Sequence, residues 1–293
     1  MPRPFPVPNA QCQMPISRVI ILCPGPSLAE FLRAQEKGSG SRDQGSDPIP
    51  DARSPVPGTA VIGVNRAAEV FPCDWWCAAD HETIGTMRPV PTPGGGSPRL
   101  CTCQQAIVLA DRKWPDDERV QGLIHPANVR TFERLGAETD CPLEHGWKSL
   151  SMLAAMVLAE NLIRKASGIR QQAIGGGDQA DACCPVPGAS IHLYGCDWAG
   201  IEDFDGTVPP GAEVGRSDYR WKNERAHFER VAGWLASKSI AVERKTLTTE
   251  ARRHREGLEA WGLGPEAQDP GPRTQAHPHP ELGTRHPPQA VPA

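Results

Sequence analysis

In Arg18-Val-Ile-Ile-Leu-Cys-Pro-Gly-Pro-Ser-Leu-Ala-Glu-Phe31 a β-branched apolar run breaks at Gly25 and a helix start follows at once. A strand that stops on a small-residue turn and feeds a helix is the first unit of an α/β sheet. Its junction is also an anion site in principle: first-turn N–H groups lack intrahelical partners, and the helix dipole adds positive potential there. Ser27-Leu-Ala-Glu30 spells a capping box, so Ser27 reads either as a helix cap or as a ligand contact made with Gly25 and Pro26. Neither a phosphate-loop lysine after Gly25 nor a G-x-G-x-x-G run is present.

Thr59-Ala-Val-Ile-Gly-Val-Asn65, Cys73-Asp-Trp-Trp-Cys-Ala-Ala-Asp80 and Ser190-Ile-His-Leu-Tyr-Gly-Cys-Asp197 are further short apolar runs that end on a polar residue. Asn and Asp stop strands by bonding their own backbone, so each ending alone is a turn former. Together they predict one crevice at the carboxyl ends of a mostly parallel sheet, shared by Gly25, Asn65, Asp80 and Asp197. Gln104–Ala110 reads as a further strand, followed by Asn128–Leu135. A long helix is expected over Glu144–Ala166, where Leu150, Leu153, Val157 and Leu158 recur at helical spacing. A second amphipathic helix carries Trp221, Phe228, Val231, Ala232 and Leu235, and Ser239–Val242 reads as the last strand. The alternation of strand and helix predicts a Rossmann-like three-layer α/β sandwich.

At 293 residues with 39% apolar content, the chain holds enough material for one sizeable core. The core is expected over residues 17–250. Residues 1–16 and 251–293 read as disordered tails, and 37–57, 88–98 and 168–189 as low-complexity surface insertions, all rich in Pro, Gly and polar residues. A net charge of −4 lacks the basic face of a nucleic-acid binder. Leu150–Ala159 is too short to span a bilayer and no secretory pattern opens the chain, so a cytoplasmic location is the default. The ten cysteines include no C-x-x-C pair, and Cys23, Cys73, Cys77 and Cys196 fall in apolar runs where a free thiol acts as a small hydrophobe.

Beyond Asp197, the loop Trp198-Ala-Gly-Ile-Glu-Asp-Phe-Asp-Gly206 sets Asp203 and Asp205 in an Asp-x-Asp pair. Such a pair can chelate Mg²⁺ against a diphosphate, or be a solvated acidic turn. Asp80 and Asp197 are the candidate general bases, since a carboxylate at a buried strand end can have its pKa raised toward neutrality. Asp197 can equally be an acceptor for loop amides. His192 lies within a strand run, whereas His81 lies close enough in sequence to reach the site.

Taken together, Pro24-Gly-Pro-Ser-Leu28, Val61-Ile-Gly-Val-Asn65, the run through Trp75 to Asp80, Ser149 before an Ala-rich helix, and Leu193-Tyr-Gly-Cys-Asp-Trp198 resemble a known set. It is the superfamily of archaeal-type 6-hydroxymethylpterin diphosphokinases, related bacterial and phage domains, and bacterial CMP-sialic-acid-dependent sialyltransferases. The resemblance covers roughly residues 17–245 without the insertions. It implies a nucleotide-binding Rossmann-like transferase in which Gly25, Pro26, Ser27, Asn65 and Ser149 bind the nucleotide. The transfer would move a glycosyl or diphosphate group from a nucleotide or nucleotide-sugar donor to a small hydroxyl acceptor. The alternative is a non-catalytic nucleotide- or sugar-phosphate-binding accessory protein. Two departures bear on this choice: Pro24 stands where the sialyltransferases usually have Asn, and Ser217-Asp-Tyr-Arg-Trp221 stands where they place a catalytic His.

Overall fold

The computed structural model describes residues 15–38, 57–92, 94–141, 143, 144, 147, 149–174, 188–198, 203–208 and 218–245. The expected tails, apart from residues 15 and 16, and the greater part of the expected insertions 37–57 and 168–189 lie outside them.

The strands are β1 (Arg18–Leu22), β2 (Thr59–Val64), β3 (Trp75–Cys77), β4 (Arg99–Thr102), β5 (Val129–Thr131), β6 (Ser190–Tyr194) and β7 (Ala241–Lys245). They form one seven-stranded sheet in the order β5-β4-β3-β2-β1-β6-β7, and every neighbouring pair is parallel. The helices are α1 (Leu28–Gly38), α2 (His81–Thr86), α3 (Gln104–Lys113), α4 (Glu118–Leu123), α5 (Phe132–Thr139), α6 (Leu150–Ile174) and α7 (Asp218–Ser237), with a 3₁₀ turn at Asn65–Glu69. The expected α/β sandwich is therefore present, and its described strands are wholly parallel.

Strand alternation sets the layers. Val19, Ile21 and Cys23 point into the larger core, shared with Met152–Ala159 of α6 and with Val231 and Leu235 of α7. Ile20 and Leu22 point the other way, against Leu28 and Phe31 of α1 and against Ala67 and Phe71. Residues 151–159 are buried without a polar face, so α6 runs as a core helix beneath β1, β2, β3 and β4.

The chain lays down β1 to β5 in one direction, then returns to place β6 on the far side of β1. That reversal puts a topological switch point between β1 and β6, where open α/β sheets leave a crevice.

Several element assignments change. Gln104–Ala110 is not a strand but the body of α3: Ala106 and Ala110, four apart, are the buried positions, a helical period. The strand of that unit is Arg99–Thr102, directly after the 88–98 stretch, which is tied down by Val90 N–H to Ala68 O (2.8 Å) and Thr92 N–H to Gly96 O (2.7 Å). Asn128–Leu135 resolves into β5 and the start of α5. The long helix begins at Leu150 rather than Glu144 and continues to Ile174, into the expected 168–189 insertion. The last strand runs Ala241–Lys245, slightly beyond its expected place. Among the described residues, no helix is long and apolar enough to cross a membrane.

Candidate functional site

The carboxyl ends of β1 and β6 are joined by their own backbone. Cys23 N–H donates to Tyr194 O (2.8 Å) and Gly25 N–H to Gly195 O (3.0 Å). In return, Gly195 N–H donates to Ser27 Oγ (3.0 Å), and Ser27 N–H donates to Asp197 Oδ2 (2.7 Å). The amides of Gly25 and Ser27, expected to face an anion, are thus engaged within the protein. The Ser27 hydroxyl likewise serves a residue 168 positions away. Two glycines make this junction possible. A Cβ at Gly25 would meet Gly195 O at 2.4 Å, and Gly195 has φ +71° with Cys23 O only 1.9 Å from where its Cβ would stand.

Around this junction opens a cleft of about 500 Å³. It collects Gly25 and Pro26 from the first turn, Asn65 from the end of β2, Asp80 from beyond β3, Ser149 from the start of α6, and Asp197 from beyond β6. Ser27 lies just behind it, only 4% exposed. The four strand endings expected to converge do so.

Asn65 opens the 3₁₀ turn in the left-handed region (φ +49°), where few non-glycine residues sit. Its carbonyl accepts the Trp76 indole N–H at 3.1 Å, which fixes the backbone, while its side-chain Oδ1 is buried without a hydrogen-bond partner. Ser149 (φ +58°) and Trp198 (φ +46°) share the left-handed conformation and line the same cleft. The Ser149 carbonyl caps α6 by accepting from Met152 N–H (2.9 Å) and Leu153 N–H (3.1 Å), so the first turn of α6 opens onto the cleft.

Asp80 is exposed at the cleft rim, rather than at a buried strand end as expected. Asp197 is half-buried and already accepts Ser27 N–H. The histidines stand elsewhere. His81 turns to Glu82 (2.8 Å) and Trp114, and His192 is 4% exposed within β6.

The Asp-x-Asp pair closes on a cation that the sequence did not single out. Arg66 binds Asp203 and Asp205 at 2.9 Å each, and Thr207 Oγ1 at 2.9 Å. Burial works against the Arg66 charge, but the hydrogen bonds and charges of Asp205 and Asp203 outweigh it and hold its pKa above the ordinary value. The Thr207 hydroxyl, with the Thr207 N–H and Arg66, lowers Asp205 to about 2. The carboxylates expected to chelate Mg²⁺ are therefore charge-paired, and Asp205 does not line the cleft. Among the described residues no cluster of His, Cys, Asp and Glu is arranged to hold a metal ion. Of the other acids in the cleft wall, Glu224 is buried against Arg220 (2.6 Å), while Asp80 and Asp197 have no cationic partner among the described residues.

Sequence reasoning also passed over the indoles of Trp147, Trp198 and Trp221, which line the cleft. Trp198 was legible in one respect, as the residue directly after the Asp197 strand ending. Cys23, Cys73, Cys77 and Cys196 are free and buried, as expected of small hydrophobes. The Cys196 contact, then burial, raises the Cys23 pKa well above an ordinary thiol's, so that thiol is held protonated. Comparison with known proteins adds no relative: no family model, curated protein or solved structure matches the chain.

Proposed function

We propose that the chain is a nucleotide-dependent transferase. Its cleft would take a nucleotide-activated donor and a small hydroxyl acceptor, and move a glycosyl or diphosphate group between them. The observation that carries this reading is Asn65, a buried unpartnered acceptor on left-handed backbone, at a strand end beside the switch point. Strained residues and unsatisfied buried polar atoms gather where a ligand completes the structure. The cleft volume of about 500 Å³ suits a small-molecule ligand. The Trp221 indole gives the cleft wall aromatic surface for a nucleobase, and the α6 dipole favours a phosphate near Ser149.

On this reading Asn65 contacts the nucleotide, Gly25 and Pro26 shape the wall, and Ser27 holds β1 to β6. Asp80 accepts the acceptor hydroxyl's proton as that oxygen bonds to the transferred group and the donor's bond to the same group breaks, the nucleotide leaving. Positioning supplies much of the remaining acceleration. Asp80 and Asp197 are also the carboxylates that a Mg²⁺ ion accompanying the phosphates would meet.

One observation favours the non-catalytic alternative: Asp197 is already used as the acceptor for Ser27 N–H. Incubation with CMP-, UDP- and GDP-sugars, and with ATP plus hydroxymethylpterin, separates the two. The transferase releases nucleotide, and Asp80→Asn slows that release about a hundredfold or more. Saturable binding without release makes the protein a binding module, and neither binding nor release overturns both readings.

A further inference from the structure

The amides of the Gly-Pro-Ser turn are spent, so a phosphoryl group must find its main donors elsewhere. Trp198 lines the cleft at 9% exposure, and its Nε1–H is buried without a hydrogen-bond partner. A buried donor left unmade is costly, and an acceptor brought by a ligand relieves that cost. The same indole is flanked by two guanidiniums. Arg244 lies 4.4 Å from the ring centroid and Arg225 5.7 Å from it. Both side chains belong to exposed residues, and neither has a carboxylate partner among the described residues.

Three elements bring these groups together. Trp198 follows the end of β6, Arg244 lies near the carboxyl end of β7, and Arg225 follows the cleft-lining Glu224 on α7. They meet at the ring of Trp198, which lines the cleft, while Arg225 and Arg244 are not themselves among the cleft-lining residues. A neutral carbonyl would satisfy the indole N–H alone, whereas an oxyanion satisfies the N–H and both charges, and guanidiniums suit phosphate geometry. Arg230 provides the contrast: it stacks on Trp147 at 5.4 Å in the same manner, but Glu144 at 3.6 Å compensates its charge.

We propose that Trp198, Arg225 and Arg244 form an oxyanion subsite that holds the phosphoryl group of the cleft's ligand. The assignment rests on the nucleotide-binding reading for what the phosphoryl group is attached to, but not for the anion itself.

The test is isothermal titration of the full chain with CMP, UDP, GDP, ATP, cytidine and inorganic pyrophosphate, at low and high salt. It compares wild type with Arg225→Gln, Arg244→Gln, Trp198→Phe and Arg230→Gln. All four positions are read beside the melting temperature, so that a misfolded variant is recognised, and Arg225→Lys is included because it keeps the charge. CMP and pyrophosphate are expected to bind, more weakly in high salt. Each Arg→Gln variant at positions 225 and 244 loses about tenfold in affinity or more. Arg225→Lys recovers part of the loss, Trp198→Phe loses affinity through its missing N–H, and Arg230→Gln binds as wild type. Pyrophosphate binding that depends on these residues while CMP, UDP, GDP and ATP all fail to bind upholds the subsite and overturns the nucleotide reading. CMP binding unchanged in both arginine variants, or equally weakened by Arg230→Gln, overturns the subsite and leaves the nucleotide reading standing. Binding of neither pyrophosphate nor any of these nucleotides overturns both.

Discussion

Ser27 shows how a local motif acquires a non-local partner. The Ser-x-x-Glu spacing is that of a capping box, yet the hydroxyl accepts Gly195 N–H from the end of β6. Ser27→Ala would leave that buried amide unpaired, at a cost of about 1–3 kcal/mol. A lost cap costs a similar amount, so a melting temperature alone does not tell the two apart. Amide hydrogen exchange does: in Ser27→Ala, Gly195 exchanges faster while the α1 amides keep their protection. Loosened α1 amides beside an unchanged Gly195 would restore the capping role. Gly25→Ala is expected to destabilise more, because its Cβ would stand 2.4 Å from Gly195 O, a backbone atom that cannot swing away. The strand endings at residues 25, 65, 80 and 197 were legible because each is written locally. The engagement of the Ser27 hydroxyl, the Arg66 clamp and the burial of Asn65 Oδ1 depend on residues far apart in the chain.

At the scale of elements, length and periodicity decided what could be read. Strands β1, β2 and β6 carry apolar runs long enough to stand out, and α6 is apolar on every side over Met152–Ala159. β4 and β5 are Arg-Leu-Cys-Thr and Val-Arg-Thr, too short to show a period, and pairing with neighbours defines them. In α3 the consecutive Ile107, Val108, Leu109 and Ala110 read as a strand, an ambiguity that periodicity cannot resolve in short apolar runs. α6 also buries a charge. Glu160 is 2% exposed, with Arg164 at 3.5 Å and Lys238 at 3.9 Å on one oxygen and no hydrogen-bond partner on the other. Burial outweighs the two cations and raises its pKa above the usual carboxylate range. An acid raised in the folded state penalises folding once it must ionise, so the penalty is absent below about pH 4 and grows as pH rises through the folded pKa. Glu160→Gln is therefore expected to raise the melting temperature at pH 7 and to leave it unchanged near pH 3.5. A fall at pH 7 would show that the ion pairs dominate.

At the scale of the whole molecule, the return of the chain from β5 to β6 makes the site. It opens a crevice at β1/β6 and aims four strand ends and the start of α6 into it. The sequence held this crossover only as an order of runs, and the indoles and arginines around it become neighbours through packing of α7. The most direct test of a nucleotide site here is thermal unfolding of wild type and Asn65→Ala across a panel of nucleotides. A ligand at a hundredfold its Kd adds about 2.7 kcal/mol of stability, which is about 5–10 °C for a domain of this size. A nucleotide site built on Asn65 gives such a rise for at least one nucleotide in wild type, cut to less than half in Asn65→Ala at the same concentration. A panel in which no nucleotide moves the transition, or a full rise that survives in Asn65→Ala, would contradict it.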